Sequence, residues 1–207
     1  MGQRLAESRI EQAAERIRQG GLVAFPTDTL YALGADPFNA QAVQRVFRAK
    51  HRPPDMGLPL LLANSEMLQD TASEVPPLAI ALAERFWPGS LTLIVPKAHT
   101  ISSSVTGGHD TVAVRVPNHP LALSLIAAVG GPVTGTSANI TGGPDPSTPD
   151  QVRKQLGVSC DMVLDGGEAA LGVPSTIIDL SGDRPTLVRA GAVPWEEIES
   201  FIAAIAT

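Results

Sequence analysis

Residues 174–191 read PSTIIDLSGDRPTLVRAG. Two runs rich in β-branched residues, PSTIIDL and PTLVRAG, flank the polar SGDR, which is the pattern of an antiparallel hairpin. A hairpin excludes a purely parallel sheet, so the rest of the chain is read around a mixed one. Upstream, LVAF (22–25), LPLLLA (58–63), SLTLIVP (90–96), TVAVRVP (111–117), PVTGTSAN (132–139) and MVLDGG (162–167) read as further strands. TVAVRVP alternates, with Val112, Val114 and Val116 on one face and Thr111, Ala113 and Arg115 on the other.

Helices fill the intervals. Ile10, Ala13, Ala14 and Ile17 fall at i, i+3, i+4 and i+7, giving an amphipathic helix over 8–19 with Ser8 as its cap, stopped by Gly20-Gly21. Asn39 caps a second helix whose core face carries Val43, Val46 and Phe47; Pro53 and Pro54 end it near Lys50. Pro76-Pro77 opens a helix through Phe86. PLALSLIAAVG, DQVRKQLG and WEEIESFIAAI are the remaining three. Strands and helices mix without strict alternation, and no repeat or linker interrupts them. The expected fold is one α/β domain over 1–207, a mixed twisted sheet with flanking helices.

The chain has 207 residues, 43% of them hydrophobic, and a net charge of -6. That balance argues against a nucleic-acid coat or a membrane-surface binder, which need broad positive potential. One cysteine, Cys160, excludes an internal disulfide and a Cys-rich zinc site. Its place beside an apolar strand suits an inert buried thiol. The polar start is no signal peptide, and the apolar stretches are too short to span a bilayer, so a cytoplasmic protein is expected. Trp87 and Trp195 read as packing residues. His99, His109 and His119 recur every ten residues, neither a helix nor a strand period, and read as surface histidines rather than a metal site. Phosphate-loop, dinucleotide, zincin and nucleophile-elbow motifs are all absent.

Four segments instead place polar groups where an element ends. PTDT (26–29) follows LVAF, putting two hydroxyls and a carboxylate at a strand end. KHRP (50–53) sets two cations, separated by one residue, at an exposed helix end; such a pair suits a polyphosphate, but taken alone it reads rather as a solvated helix terminus. TSAN (136–139) offers hydroxyl and amide groups for a nucleotide or amino acid, or an ordinary turn. PST (174–176) lies opposite Arg189 across the hairpin. Arg115, between valines, needs a counter-charge if buried; a ligand carboxylate, Asp28 or Asp36 would serve.

Taken in order, PTDTLYALG, KHRP, WPGSLTLIV, VAVRVPNHP, TSAN, PSTIIDL and VRAG resemble the YrdC family of threonylcarbamoyl-AMP synthases, over about residues 8–200. The resemblance implies a twisted α/β sheet around a concave cavity, in the short, single-domain form of the family. It implies formation of threonylcarbamoyl-adenylate and pyrophosphate from L-threonine, bicarbonate and ATP, for downstream proteins that transfer the threonylcarbamoyl group to tRNA. By the family pattern Lys50 and Arg52 would hold ATP phosphates and be catalytic. Ser137, Ala138, Asn139, Ser147 and Arg189 would complete the ATP site. Thr29, Thr111, Arg115, Thr136 and Ser175 would bind threonine. No protein metal site is implied; Mg²⁺ would arrive with ATP. The chain departs from the pattern at MGLPLLLAN (56–64), where many relatives have NPLIVH, and at PDPST (144–148), where PSP is common. Two other readings remain: a YrdC-like module that binds RNA or nucleotide without chemistry, and a carbamoyl-transfer domain like that of hydrogenase-maturation enzymes.

Overall fold

Helix α1 (Gly2–Arg18) already runs through Ser8 in the computed structural model, which describes residues 2–205. Positions 1, 206 and 207 of the expected domain lie outside the described residues. Ser8 is therefore not a cap: it sits within the helix and accepts a bond from the Gln12 amide at 3.4 Å. The preceding Gln-Arg-Leu-Ala-Glu are all strong helix formers, which is why the helix extends past the predicted start. Gly20, at φ 81°, adopts the left-handed conformation that turns the chain out of it.

The strands that follow are β1 (Val23–Pro26), β2 (Tyr31–Gly34), β3 (Leu60–Leu61), β4 (Leu91–Pro96) and β5 (Thr111–Arg115). The later ones are β6 (Val133–Thr134), β7 (Thr136–Ser137), β8 (Met162–Val163), β9 (Thr176–Asp179) and β10 (Thr186–Arg189). Between them lie α2 (Ala40–Lys50), α3 (Leu68–Thr71), α4 (Pro77–Phe86), α5 (Ser103–Thr106), α6 (Pro120–Val129) and α7 (Pro149–Leu156), with α8 (Trp195–Ile205) last. Among the described residues no helix is long and apolar enough to cross a membrane.

The mixed sheet is present as two sheets rather than one. A four-stranded sheet has the order β7-β2-β1-β8, and a six-stranded sheet the order β10-β9-β4-β5-β3-β6. The β9–β10 hairpin is antiparallel, as SGDR predicts, while β4 pairs with β9 and β3 with β5 in parallel. The division falls inside PVTGTSAN. Val133–Thr134 pair with β3 in the large sheet, and Thr136–Ser137 pair with β2 in the small one. Gly135 makes the crossing possible: a Cβ there would lie 2.3 Å from Leu61 Cγ.

Alternation sorts the strand residues between two apolar cores. From β1, Val23 and Phe25 join α1 (Ala13, Ile17) and α6 (Leu125, Ile126) on one side of the small sheet. Ala24, with Tyr31 and Leu33 of β2, faces the larger core shared with α2, α4 and the six-stranded sheet. A strand covered on both faces reads as a continuous apolar run, as LVAF does. In the large sheet Leu91, Leu93 and Val95 of β4 and Val112 and Val114 of β5 enter that core. Their opposite face is left for something else.

Candidate functional site

The other face of the six-stranded sheet floors a cavity of about 500 Å³, within the span of small-molecule sites. Thr92 and Ile94 of β4, Thr111, Ala113 and Arg115 of β5, and Ile177 of β9 form this floor, with Ser175 and Arg189 beside them. The facing wall comes from the β1–β2 turn (Thr27, Thr29) and the small sheet (Tyr31, Ala32, Thr136, Ser137). Arg52, His109 and Asp145 also line it. The period of two that buries Val112 and Val114 thus also aims Arg115 into the cavity.

Arg115 is 5% exposed, and burial draws its pKa down while Asp28 opposes that shift. Its Nη2 donates to Asp28 Oδ1, its Nη1 to Thr29 Oγ1 at 2.9 Å and its Nε to Gly89 O at 2.9 Å. Of the counter-charges weighed from sequence, Asp28 is the one present. Thr27 folds the PTDT turn, its Oγ1 donating to Leu30 O and accepting from the amides of Thr29 and Leu30. The hydroxyls and carboxylate at this strand end therefore build a tight turn and seat an arginine.

Arg189 reaches the cavity from the hairpin. Its Nη2 donates to Ser175 Oγ at 3.1 Å and to Ser175 O at 2.8 Å, and Ser175 Oγ also bonds Thr92 Oγ1 at 2.8 Å. Arg52 is held by its own loop, Nε to Met56 O and Nη2 to Gly57 O. Burial lowers its pKa, and the charge of Arg189 lowers it further. Two guanidiniums close enough to disfavour each other's charge mark a place where an anion would be stabilised.

Lys50 is not on an exposed helix end. It is 1% exposed, and its Nζ donates to Ser137 O at 2.5 Å, Asn139 O at 2.7 Å and Asn139 Oδ1 at 3.2 Å. Helical spacing explains this: Val43, Val46 and Lys50 fall at i, i+3 and i+7, on the buried face of α2. Burial, with the charge of Arg52, pushes its pKa down to about 7, and Asp145 opposes this. His51 then takes a left-handed conformation at φ 50°, and that turn separates Lys50, behind the TSAN loop, from Arg52, in the cavity.

Of the residues expected at the site, Thr29, Arg52, Thr111, Arg115, Thr136, Ser137, Ser175 and Arg189 share the cavity. Lys50, Ala138, Asn139 and Ser147 are not part of its lining. Ala138 N donates to Tyr31 O, and Asn139 bonds Lys50, Ser137 Oγ and Gly143 O. Ser147 is occupied by Gln151 of the α7 capping box. Its place in the cavity is taken by Asp145, two residues earlier in PDPST. Thr92 and His109 also went unforeseen. Thr92 had a signal, a lone hydroxyl at an alternating position of LTLIV; His109 stood in a loop without one. His119 caps α6, its Nδ1 accepting from Leu121 N at 3.2 Å. Cys160 is half-buried, and burial raises its pKa.

Fold and recess together define an α/β protein with an arginine-lined cavity between two mixed sheets. The Sua5/YciO/YrdC family, whose model is described as "Telomere recombination", matches residues 15–191, and the chain belongs to it. It is 46% identical over 203 residues to the threonylcarbamoyl-AMP synthase of Pyrococcus abyssi, covering 98% of this chain and 60% of that protein. It is 42% identical to the Bacillus subtilis protein of the same name, covering 96% of this chain and 58% of the relative. The crystal structure of P. abyssi Sua5 complexed with L-threonine superposes with a TM-score of 0.93 at 47% identity, over 95% of this chain and 58% of that one. The chain thus spans about three-fifths of the length of these relatives.

Proposed function

We propose that the cavity forms threonylcarbamoyl-AMP and pyrophosphate from L-threonine, bicarbonate and ATP. The observation that carries this reading is the convergence of Arg52, Arg115 and Arg189, from three distant segments, on one recess walled by hydroxyls. The names of the relatives and the threonine-bound P. abyssi structure support the choice of substrates.

The two ends of the recess suit two ligands. Arg115, seated in the PTDT turn, would pair with the amino-acid carboxylate, with Thr29, Thr111, Thr136 and Ser175 as hydroxyl partners. Arg52 and Arg189 would take the phosphates, with Ser137 beside them. Lys50 would act from behind the loop, holding Ser137 and Asn139 in place without touching the nucleotide. The threonine amine would add to carbon dioxide released from bicarbonate, losing a proton to give the carbamate. A carbamate oxygen would then attack the α-phosphorus, and pyrophosphate would leave in line. No protein nucleophile is required; positioning and charge stabilisation lower the barrier. Among the described residues no group of three His, Cys, Asp or Glu could hold a metal ion. Mg²⁺ carried in with ATP would neutralise phosphate charge. Such a site belongs in the ATP-rich cytoplasm, supplying proteins that modify tRNA.

The test is pyrophosphate release by the purified chain. Release that requires both L-threonine and bicarbonate is expected. Release that ignores either, or no release at all, would overturn the reading.

A further inference from the structure

We infer that Asp28 is a positioning residue for substrate recognition: it fixes the Arg115 guanidinium so that its remaining donors face the cavity. This rests on the proposed binding of an amino-acid carboxylate by Arg115. Asp28 is 7% exposed and is not part of the cavity lining, whereas Arg115 is. Three donors hold its carboxylate. Arg115 Nη2 and Asn118 N both donate to Oδ1, the latter at 2.9 Å, and Ser90 Oγ donates to Oδ2 at 2.6 Å. These come from two segments, residues 115–118 and Ser90, so the carboxylate cannot rotate without breaking bonds on at least one side.

The guanidinium is held with equal completeness. It has five N–H donors in a rigid plane. Asp28, Thr29 Oγ1 and Gly89 O take one each, from three directions. Two N–H groups remain, one on each terminal nitrogen, available to a ligand carboxylate. Without Asp28 the plane would be tethered only at Nε and Nη1, and one more N–H would be unsatisfied. The buried anion also offsets the buried cation, so an incoming carboxylate meets a preformed fork and not a mobile one.

The discriminating readout is selectivity for the carboxylate. Binding of L-threonine and of L-threonine amide, which lacks the acid, is measured by calorimetry on the wild-type chain, Asp28→Asn and Ser90→Ala. Wild type is expected to prefer the acid. Asp28→Asn should weaken L-threonine about tenfold or more, the loss expected of one charge-assisted contact, and leave the amide and ATP little changed. Ser90→Ala, which frees only Oδ2, should move the same ratio in the same direction by a smaller factor, and it decides the matter where Asp28→Asn does not fold. An unchanged acid-to-amide ratio in the folded variants, or equal losses for threonine, amide and ATP, would overturn the inference while leaving the function intact. A wild-type chain that does not bind L-threonine would defeat the function and this inference together.

Discussion

Lys50 is a buried charge that holds the wall of a cavity it does not line. Its ammonium meets three oxygen acceptors of the Ser137–Asn139 loop. Replacing it by methionine keeps much of the volume but strands the Asn139 carbonyl, while Ser137 O keeps its bond from Asn139 N, at a cost of about 1–3 kcal/mol. Urea denaturation of Lys50→Met should show that loss, together with weakened ATP binding. The pH dependence carries a sign. The folded-state pKa is lowered to about 7 from the model-compound value of 10.5. Between these values the unfolded chain holds a proton that the folded chain has released, so this group makes stability rise with pH across that window. Tyr31 and Cys160, raised by burial, act in the opposite sense in both proteins and cancel in the comparison. The wild-type minus Lys50→Met difference should therefore grow from pH 7 to pH 10; a flat difference would show that Lys50 keeps its proton. Arg52 and Arg189 are the contrasting case, since both line the cavity. Arg52→Ala and Arg189→Ala should each raise the ATP KM about 10- to 100-fold, the worth of a hydrogen bond to a charged group, with the threonine KM nearly unchanged.

At the scale of elements, two junctions decide where site residues go. His51 closes α2 in the left-handed region, with Arg52 N bonded to Phe47 O at 2.9 Å. A non-glycine residue there costs roughly 1–2 kcal/mol, so His51→Gly should raise stability by about 1 kcal/mol, read as a higher midpoint in urea, with the cavity intact. At Gly135, by contrast, Gly135→Ala drives a methyl into buried Leu61 and should destabilise by about 1–3 kcal/mol while displacing Thr136 and Ser137; unaltered stability and ATP affinity would rule out the tight crossing. These junctions also explain what the sequence disclosed. The β9–β10 hairpin, the alternation of TVAVRV and the proline-opened helix α4 follow from local pattern and were legible. The split of PVTGTSAN was not, because two residues on either side of a glycine carry no period and only the partner strands assign them to different sheets. Arg115's counter-ion was narrowed to Asp28, Asp36 or a ligand but could not be chosen without the fold. Lys50's burial was written in the Val43, Val46, Lys50 spacing, yet a lysine beside two prolines invites the opposite reading. Asp145 replaced Ser147 in the cavity because the α7 capping box claims the serine, a competition visible only once Gln151 is placed.

For the whole molecule, the charge distribution opposes the net charge. The chain carries -6 overall, yet Arg52, Arg115 and Arg189 line one cavity with Asp145 as the carboxylate among its lining residues. Arg189 disfavours the charge of Arg52, and a polyphosphate would offset that repulsion. Ligands that bind only the folded chain stabilise it by about 2.7 kcal/mol at a hundred times their Kd. For a protein of this size that raises Tm by roughly 5–10 °C. The two ends of the cavity should then respond differently to salt. ATP brings several negative charges to arginines that solvent reaches, and screening shortens their field to about 10 Å at 0.1 M and about 3 Å at 1 M ionic strength. Threonine has no net charge and would meet Arg115, whose side chain is 6% exposed and paired with Asp28. Raising sodium chloride from 0.05 to 0.5 M should therefore cut the ATP-dependent Tm shift substantially and leave the threonine-dependent shift nearly constant. In Arg52→Ala and Arg189→Ala the ATP shift should be small at either salt concentration, with the threonine shift retained. Equal salt sensitivity of the two shifts, or loss of both in either variant, would contradict a cavity with separate phosphate and amino-acid ends.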